Sequence, residues 1–192
     1  FSGAPKFPQA PVLGLLVKIA ALEPQRFPGI EPMVRRTLDA MSAGGIYDQI
    51  GGGFARYSVD RMWQIPHFEK MLYDNGALLS AYALAHQATG EALFGHTARR
   101  TADWMLADMR AADGGFYAAY DADSEGEEGK FYVWTPEEIQ AELGAEDARL
   151  FGEIYGITAE RNFEVFGKCA HPTGHGHNYV VEVTVEAPAP GM

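Results

Sequence analysis

The sequence predicts a mainly α-helical chain of short helical hairpins joined by long glycine-rich loops, followed by a β-like tail. Three observations carry this. Apolar residues recur at helical spacing in successive stretches, such as Val34, Leu38 and Met41. The pattern Gly-Gly-apolar-Tyr occurs twice, at Gly44–Tyr47 and Gly114–Tyr117, each time where a helix ends and each time followed by an acid, Asp48 or Asp121. The two copies lie about seventy residues apart, a weak internal repeat that suggests stacked helical hairpins whose loops share one rim. Last, Asn178 to Glu186 (NYVVEVTVE) alternates β-branched with polar residues, the pattern of a strand.

Composition narrows the classes of function. The chain has 192 residues, 47% of them apolar, enough for a sizeable core. A net charge of −11 with no basic patch argues against binding nucleic acid. A single cysteine, Cys169, precludes an intrachain disulfide and suggests a reducing compartment, with a cytoplasmic location expected. No apolar run reaches the length of a bilayer span and no signal-peptide pattern is present, so no membrane partner is expected. The first residue is Phe1 rather than methionine, and the chain reads as a piece of something longer.

In order, Phe1 to Pro11 is a proline-rich extended entry, and Val12 to Leu22 is a helix apolar on too many sides to be exposed. A second helix opens at Glu31-Pro32 and stops at Gly44-Gly45. Phe54 to Trp63 has the composition of a small strand pair turning at Val59-Asp60. Helices are expected from about His67 to Ala88, closed by Thr89-Gly90, and from about Ala92 to Ala111, with Ala98, Trp104, Met105 and Met109 facing inward. Lys130 to Trp134 reads as a short β-like piece. Thr135-Pro136-Glu137-Glu138 is a strong helix start, with short helices to Leu143 and from Glu146 to Tyr155.

The candidate site centres on Gly44 to Asn75, which combines five glycines with many aromatics and charges. Such a mixture suits neither a plain loop nor a plain core, and it is what a ligand cleft is made of. Tyr47, Arg56, Tyr57 and Asp74 are its candidate substrate-binding residues, and Asp48, His67 and Glu69 its candidate proton-transfer residues. His67 reads equally well as a structural cap for the helix after it. Asp121-Ala-Asp123-Ser-Glu125-Gly126 is similar to the first half of a calcium loop, but the twelfth position is Tyr132, so a rim of acidic residues is favoured over an EF-hand. Asp121 and Asp123 are added to the cleft beside Asp48 and Glu69, as groups that could work as acid and base or bind sugar hydroxyls. On an extended strand His175 and His177 share a face, which suits two imidazoles on one zinc ion. Cys169, nearby, could be ligand, nucleophile or base.

Two family resemblances follow. Residues 1–164 resemble the helical part of the spermatogenesis-associated, thioredoxin-domain-containing protein family through GAPKFP (Gly3 to Pro8), GGIYDQIGGGFARYSVD (Gly44 to Asp60), PHFEKMLYDN (Pro66 to Asn75), GGFYAAYDADSEGEEGKFYVWT (Gly114 to Thr135) and the Asn-Phe-Glu at Asn162. The resemblance implies a six-hairpin α/α toroid like that of glycosidases and N-acylglucosamine epimerases, with about its first half present. It implies a thioredoxin-like domain ahead of residue 1 and a carbohydrate-type cleft.

Residues 165–192 resemble the 6-pyruvoyl- or 6-carboxy-tetrahydropterin synthases through FGKCAHPTGHGHNYVVEVTVE (Phe166 to Glu186). That resemblance implies a catalytic Cys169, zinc ligands at His175 and His177, lyase chemistry and a pterin substrate. The family's third zinc ligand would fall in Ala148 to Tyr155 (ARLFGEIY), which holds no histidine. The expected whole is two incomplete pieces joined near residue 164, a partial toroid and a fragment of a synthase. Its small-molecule substrate is carbohydrate-like or a pterin. With neither site complete, the chain is expected to be catalytically silent.

Overall fold

The computed structural model describes residues 3–155. Over that span the chain is mainly helical, as expected, with only two-residue strands between the helices. Helices α1 (Ala10–Leu22) and α2 (Ile30–Ser42) form one hairpin, and α3 (Leu72–Thr89) and α4 (Ala92–Ala107) form the next. α1 packs on α3 and α2 on α4, besides the contacts within each hairpin. Helices two apart in sequence are therefore neighbours in one layer, which is the arrangement of an α/α double layer.

The expected periodicities hold where the core is. Val34, Leu38 and Met41 of α2 are buried, as are Leu78, Tyr82 and Ala85 of α3 and Leu13 and Val17 of α1. The Tyr82 hydroxyl crosses the layer to donate to the Leu38 carbonyl at 2.7 Å. Phe54 stacks on Tyr82 with ring centroids 5.3 Å apart and ties the first glycine loop to the same core. Helix ends follow local chemistry. Gly90 takes φ 73° and its N–H closes on the His86 carbonyl, as a left-handed glycine cap does. Helix α5 (Pro136–Tyr155) opens with a reciprocal capping box. The Glu138 N–H donates to Thr135 Oγ1 at 3.1 Å and the Thr135 N–H donates to Glu138 Oε2 at 2.7 Å. Gly144, at φ 77°, breaks α5 into the two short helices expected there.

Four details depart from expectation. The helix expected from His67 begins at Leu72, because Pro66–His67 (β2) and Lys70–Met71 (β3) are consumed by sheet pairing. β2 pairs antiparallel with Tyr57–Ser58 (β1), so the strand pair extends beyond Phe54 to Trp63. Its turn is a longer loop folded around Asp60, whose carboxylate accepts from the Ser58 hydroxyl at 2.8 Å and the Gln64 N–H at 3.0 Å. Helix α4 stops at Ala107, four residues early, and Met105 is half-buried rather than inward while Met109 is fully buried. Lys130–Tyr132 is a turn of 3₁₀-helix instead of a β-like piece; the strands of that region are Ala119–Tyr120 (β4), paired with β3, and the hairpin Asp123–Ser124 (β5) with Glu127–Glu128 (β6). The two Gly-Gly-apolar-Tyr copies also differ in burial: Ile46 and Tyr47 are buried, Phe116 and Tyr117 exposed.

No helix among the described residues is long and apolar enough to cross a membrane.

Candidate functional site

The first glycine loop and β3 build the centre of the site. Pro66–His67 and Lys70–Met71 are strands joined through Phe68 and Glu69, and the side chains of this stretch divide between two sides. His67 and Glu69 point one way, Phe68 and Lys70 the other. Lys70 is thereby driven inward and is 3% exposed. Its Nζ lies 2.8 Å from Asp48 Oδ2 and donates to the Gly52 carbonyl at 2.8 Å. It also sits over the rings of Trp104, at 4.8 Å, and Tyr132, at 4.9 Å. Glycine permits this convergence. Gly53 has φ 79°, and a Cβ there would meet Trp104 Cε3 at 2.5 Å. Asp48 is turned back by its own loop, Oδ1 accepting the N–H groups of Ile50 at 3.0 Å and Gly51 at 2.7 Å. Burial pulls the Lys70 ammonium below its ordinary pKa, against the opposing charge of Asp48.

On one side of this pair opens a cleft of about 400 Å³. Its acids are Asp48, Asp108, Asp121 and Asp123, and its aromatic walls are Trp104, Tyr120, Phe131 and Tyr132. Lys70 is the cation in its lining. Burial and the neighbouring Asp48 carboxylate hold the Tyr132 phenol far above its usual range. On the other side lies an apolar cavity of about 390 Å³ between the first glycine loop and α5, with Ile46, Phe68, Trp134, Leu143 and Phe151 in its walls. Asp48, Lys70 and Tyr132 line both.

The expected site residues divide accordingly. Asp48, Asp121 and Asp123 meet in the acidic cleft. Tyr47 lines the apolar cavity, its phenol raised by burial. Arg56, Tyr57, His67, Glu69 and Asp74 line neither and form a second cluster. Within it Arg56 donates to Glu69 Oε2 at 2.7 Å, and His67 stacks on Tyr57 with centroids 4.7 Å apart. His67 Nδ1 lies 2.8 Å from Glu128 Oε1, while its Nε2 is 3.9 Å from Glu69 Oε2. His67 therefore clamps the β5–β6 hairpin to β2 rather than capping α3. The hydrogen bond and charge of Glu69 raise the Arg56 guanidinium further, and burial raises the Asp74 carboxyl, with Glu69 adding to this and Arg56 opposing it.

Sequence reasoning missed Lys70, Trp104, Asp108 and Tyr132. No local pattern marks Lys70, since its side shared with Phe68 follows from the strand pairing of Pro66–His67 and Lys70–Met71. Cys169, His175 and His177 lie outside the described residues. Among the described residues no group of three or more His, Cys, Asp or Glu side chains is placed to hold a metal.

The fold and site define a helical-hairpin domain with an acidic, aromatic-walled cleft at its loop end. Comparison with known proteins gives its relatives. The chain is 38% identical over 179 residues to spermatogenesis-associated protein 20 of Homo sapiens, a match that covers 84% of this chain and 23% of that protein. The chain thus spans about a quarter of the length of such relatives. A shorter stretch of 47 residues is 54% identical to 6-pyruvoyl tetrahydrobiopterin synthase of Homo sapiens, covering 23% of this chain and 31% of that protein. Among solved structures, D-mannose isomerase superposes with a TM-score of 0.48 at 18% identity, over 60% of this chain and 29% of the other, a likeness that decides neither fold nor activity. No family model matches the chain.

Proposed function

We propose that residues 1–164 are part of a toroid protein and carry a carbohydrate-binding cleft, and that residues 165–192 are a tetrahydropterin-synthase-like segment. One observation carries the first reading: Trp104, Tyr120, Phe131 and Tyr132 share a cleft of about 400 Å³ with four aspartates. Aromatic faces pack on the C–H faces of a sugar ring, and carboxylates accept its hydroxyl protons. The cleft is a binding site more than a complete catalytic one. Asp48 is occupied by three donors, and His67 and Glu69, the other groups expected to move protons, are bonded elsewhere.

Calorimetric titration with monosaccharides and disaccharides tests this. Saturable heat with at least one sugar is expected, and its loss in Asp121→Asn/Asp123→Asn places the sugar in the cleft. Absence of heat with every sugar in the panel removes the reading.

The 54% identity over 47 residues favours a second reading, a zinc-dependent synthase activity resting on Cys169, His175 and His177. The cysteine would serve as base and the two imidazoles as metal ligands. Metal analysis of the purified protein, with turnover assayed on a pterin precursor, tests it; protein that retains no zinc and turns over no pterin removes it.

A further inference from the structure

Among the described residues Lys70 is a buried cation that the carbohydrate reading leaves without a task. An ammonium carries three N–H donors. Two are filled, by Asp48 Oδ2 and the Gly52 carbonyl, both at 2.8 Å. Among the described residues the third has no acceptor, and Lys70 lines the acidic cleft. The group is well fixed. It is 3% exposed, its charge is balanced by Asp48, and the faces of Trp104 and Tyr132 flank it. A donor held so firmly loses little freedom on binding an oxygen.

The other charges of the cleft restrict what that oxygen belongs to. Asp108, Asp121 and Asp123 form no ion pair among the described residues, so the cleft is negative away from Lys70. A ligand carboxylate or phosphate reaching for Lys70 would be repelled by three aspartates. A neutral polyol fits both halves, with one oxygen accepting from Lys70 and its other hydroxyls donating to the aspartates.

We propose that Lys70 is a ligand-binding residue whose third N–H donates to an oxygen of an uncharged polyhydroxylated ligand in the acidic cleft. The proposal rests on the carbohydrate reading and adds the residue that orients the sugar and the exclusion of anionic sugars.

The test uses the full chain labelled with ¹⁵N-lysine. D-glucose, D-mannose, maltose and D-glucuronate are titrated while calorimetry and the lysine Nζ resonances are followed. The Lys70 resonance is expected to shift to saturation with the same midpoint as the heat of a neutral sugar, while that of Lys18 stays still. Lys70→Gln, checked for folding by circular dichroism, is expected to weaken the neutral sugar by about tenfold or more. If that variant fails to fold, the wild-type resonance decides alone. D-glucuronate is expected to bind more weakly than D-glucose. A neutral sugar that binds with the Lys70 resonance unmoved overturns the role of Lys70 and leaves the carbohydrate reading standing, and D-glucuronate binding as tightly as D-glucose overturns the exclusion of anions. A panel in which no sugar binds overturns both readings together.

Discussion

Lys70 Nζ and Asp48 Oδ2 lie 2.8 Å apart across twenty-two residues of chain, and this pair forms the partition between an acidic cleft and an apolar cavity. Its energetic value lies in mutual compensation. Burying either charge alone is costly, and the pair offsets that cost only while both members are present.

Asp48→Asn should therefore destabilise the fold by about 3 kcal/mol, because it leaves the Lys70 ammonium buried without its counter-charge. Urea unfolding followed by circular dichroism measures the difference. An unchanged midpoint would show that the ammonium is compensated by other means. The double variant Asp48→Asn/Lys70→Met should recover part of the loss.

Asn75 is fully buried and joins the start of α3 to the glycine loop. Its Oδ1 accepts the Phe54 N–H at 2.7 Å, and its Nδ2 donates to the carbonyls of Phe54 at 2.9 Å and Met71 at 2.9 Å. Asn75→Ala strands buried backbone groups and should cost about 3 kcal/mol. Asn75→Asp keeps the acceptor and removes the donors, so it should also destabilise at neutral pH. Equilibrium denaturation of both variants checks this.

Gly53→Ala combines a left-handed backbone, φ 79°, with a Cβ only 2.5 Å from the Trp104 ring. A cost of about 2 kcal/mol is expected from the backbone alone. Because Trp104 must move, its fluorescence should shift and any sugar binding should weaken. Gly14→Ala is the control: a Cβ there meets nothing within 4 Å, and Ala is the better helix former.

The pH dependence of Asp74 has a definite sign. Burial raises its folded pKa above the ordinary 3.8. Between 3.8 and the raised value the folded protein holds a proton that the unfolded chain has lost. The contribution of Asp74 to stability is therefore fully present below 3.8 and is lost as pH rises through the folded pKa. NMR titration should place the Asp74 carboxyl above 3.8, and Asp74→Asn should flatten the stability profile in that window. A titration midpoint at or below 3.8 would contradict this.

Much of the fold was legible in the sequence, because the signals are local. Val34, Leu38 and Met41 mark the buried face of α2 by spacing alone. Thr135 and Glu138 announce the start of α5, and Gly90 and Gly144 set helix boundaries by a backbone that other residues resist. The start of α3 at Leu72 rather than His67 has a complementary cause. Pro66–His67 and Lys70–Met71 are strands because β1 and β4 lie beside them; β1 is the strand just before, but β4 comes only after α4 in the chain.

The candidate site was legible only in part. Asp48, Asp121 and Asp123 could be named from residue type and loop context, and they do meet in one cleft. Residue type could not separate them from Arg56, His67 and Glu69, which a reversal of side-chain direction sends to another face. The sequence by itself determined the presence of the helices, the helix boundaries at Gly90, Thr135 and Gly144, and the acidic balance of the chain, since periodicity, capping and charge are properties of neighbouring residues. Only the tertiary structure decided that Lys70 meets Asp48, that Asp108 from the end of α4 joins the hairpin acids, and that Trp104 and Tyr132 enclose them. Those meetings depend on how α4, β3 and the glycine loop pack over long separations, which no local pattern encodes.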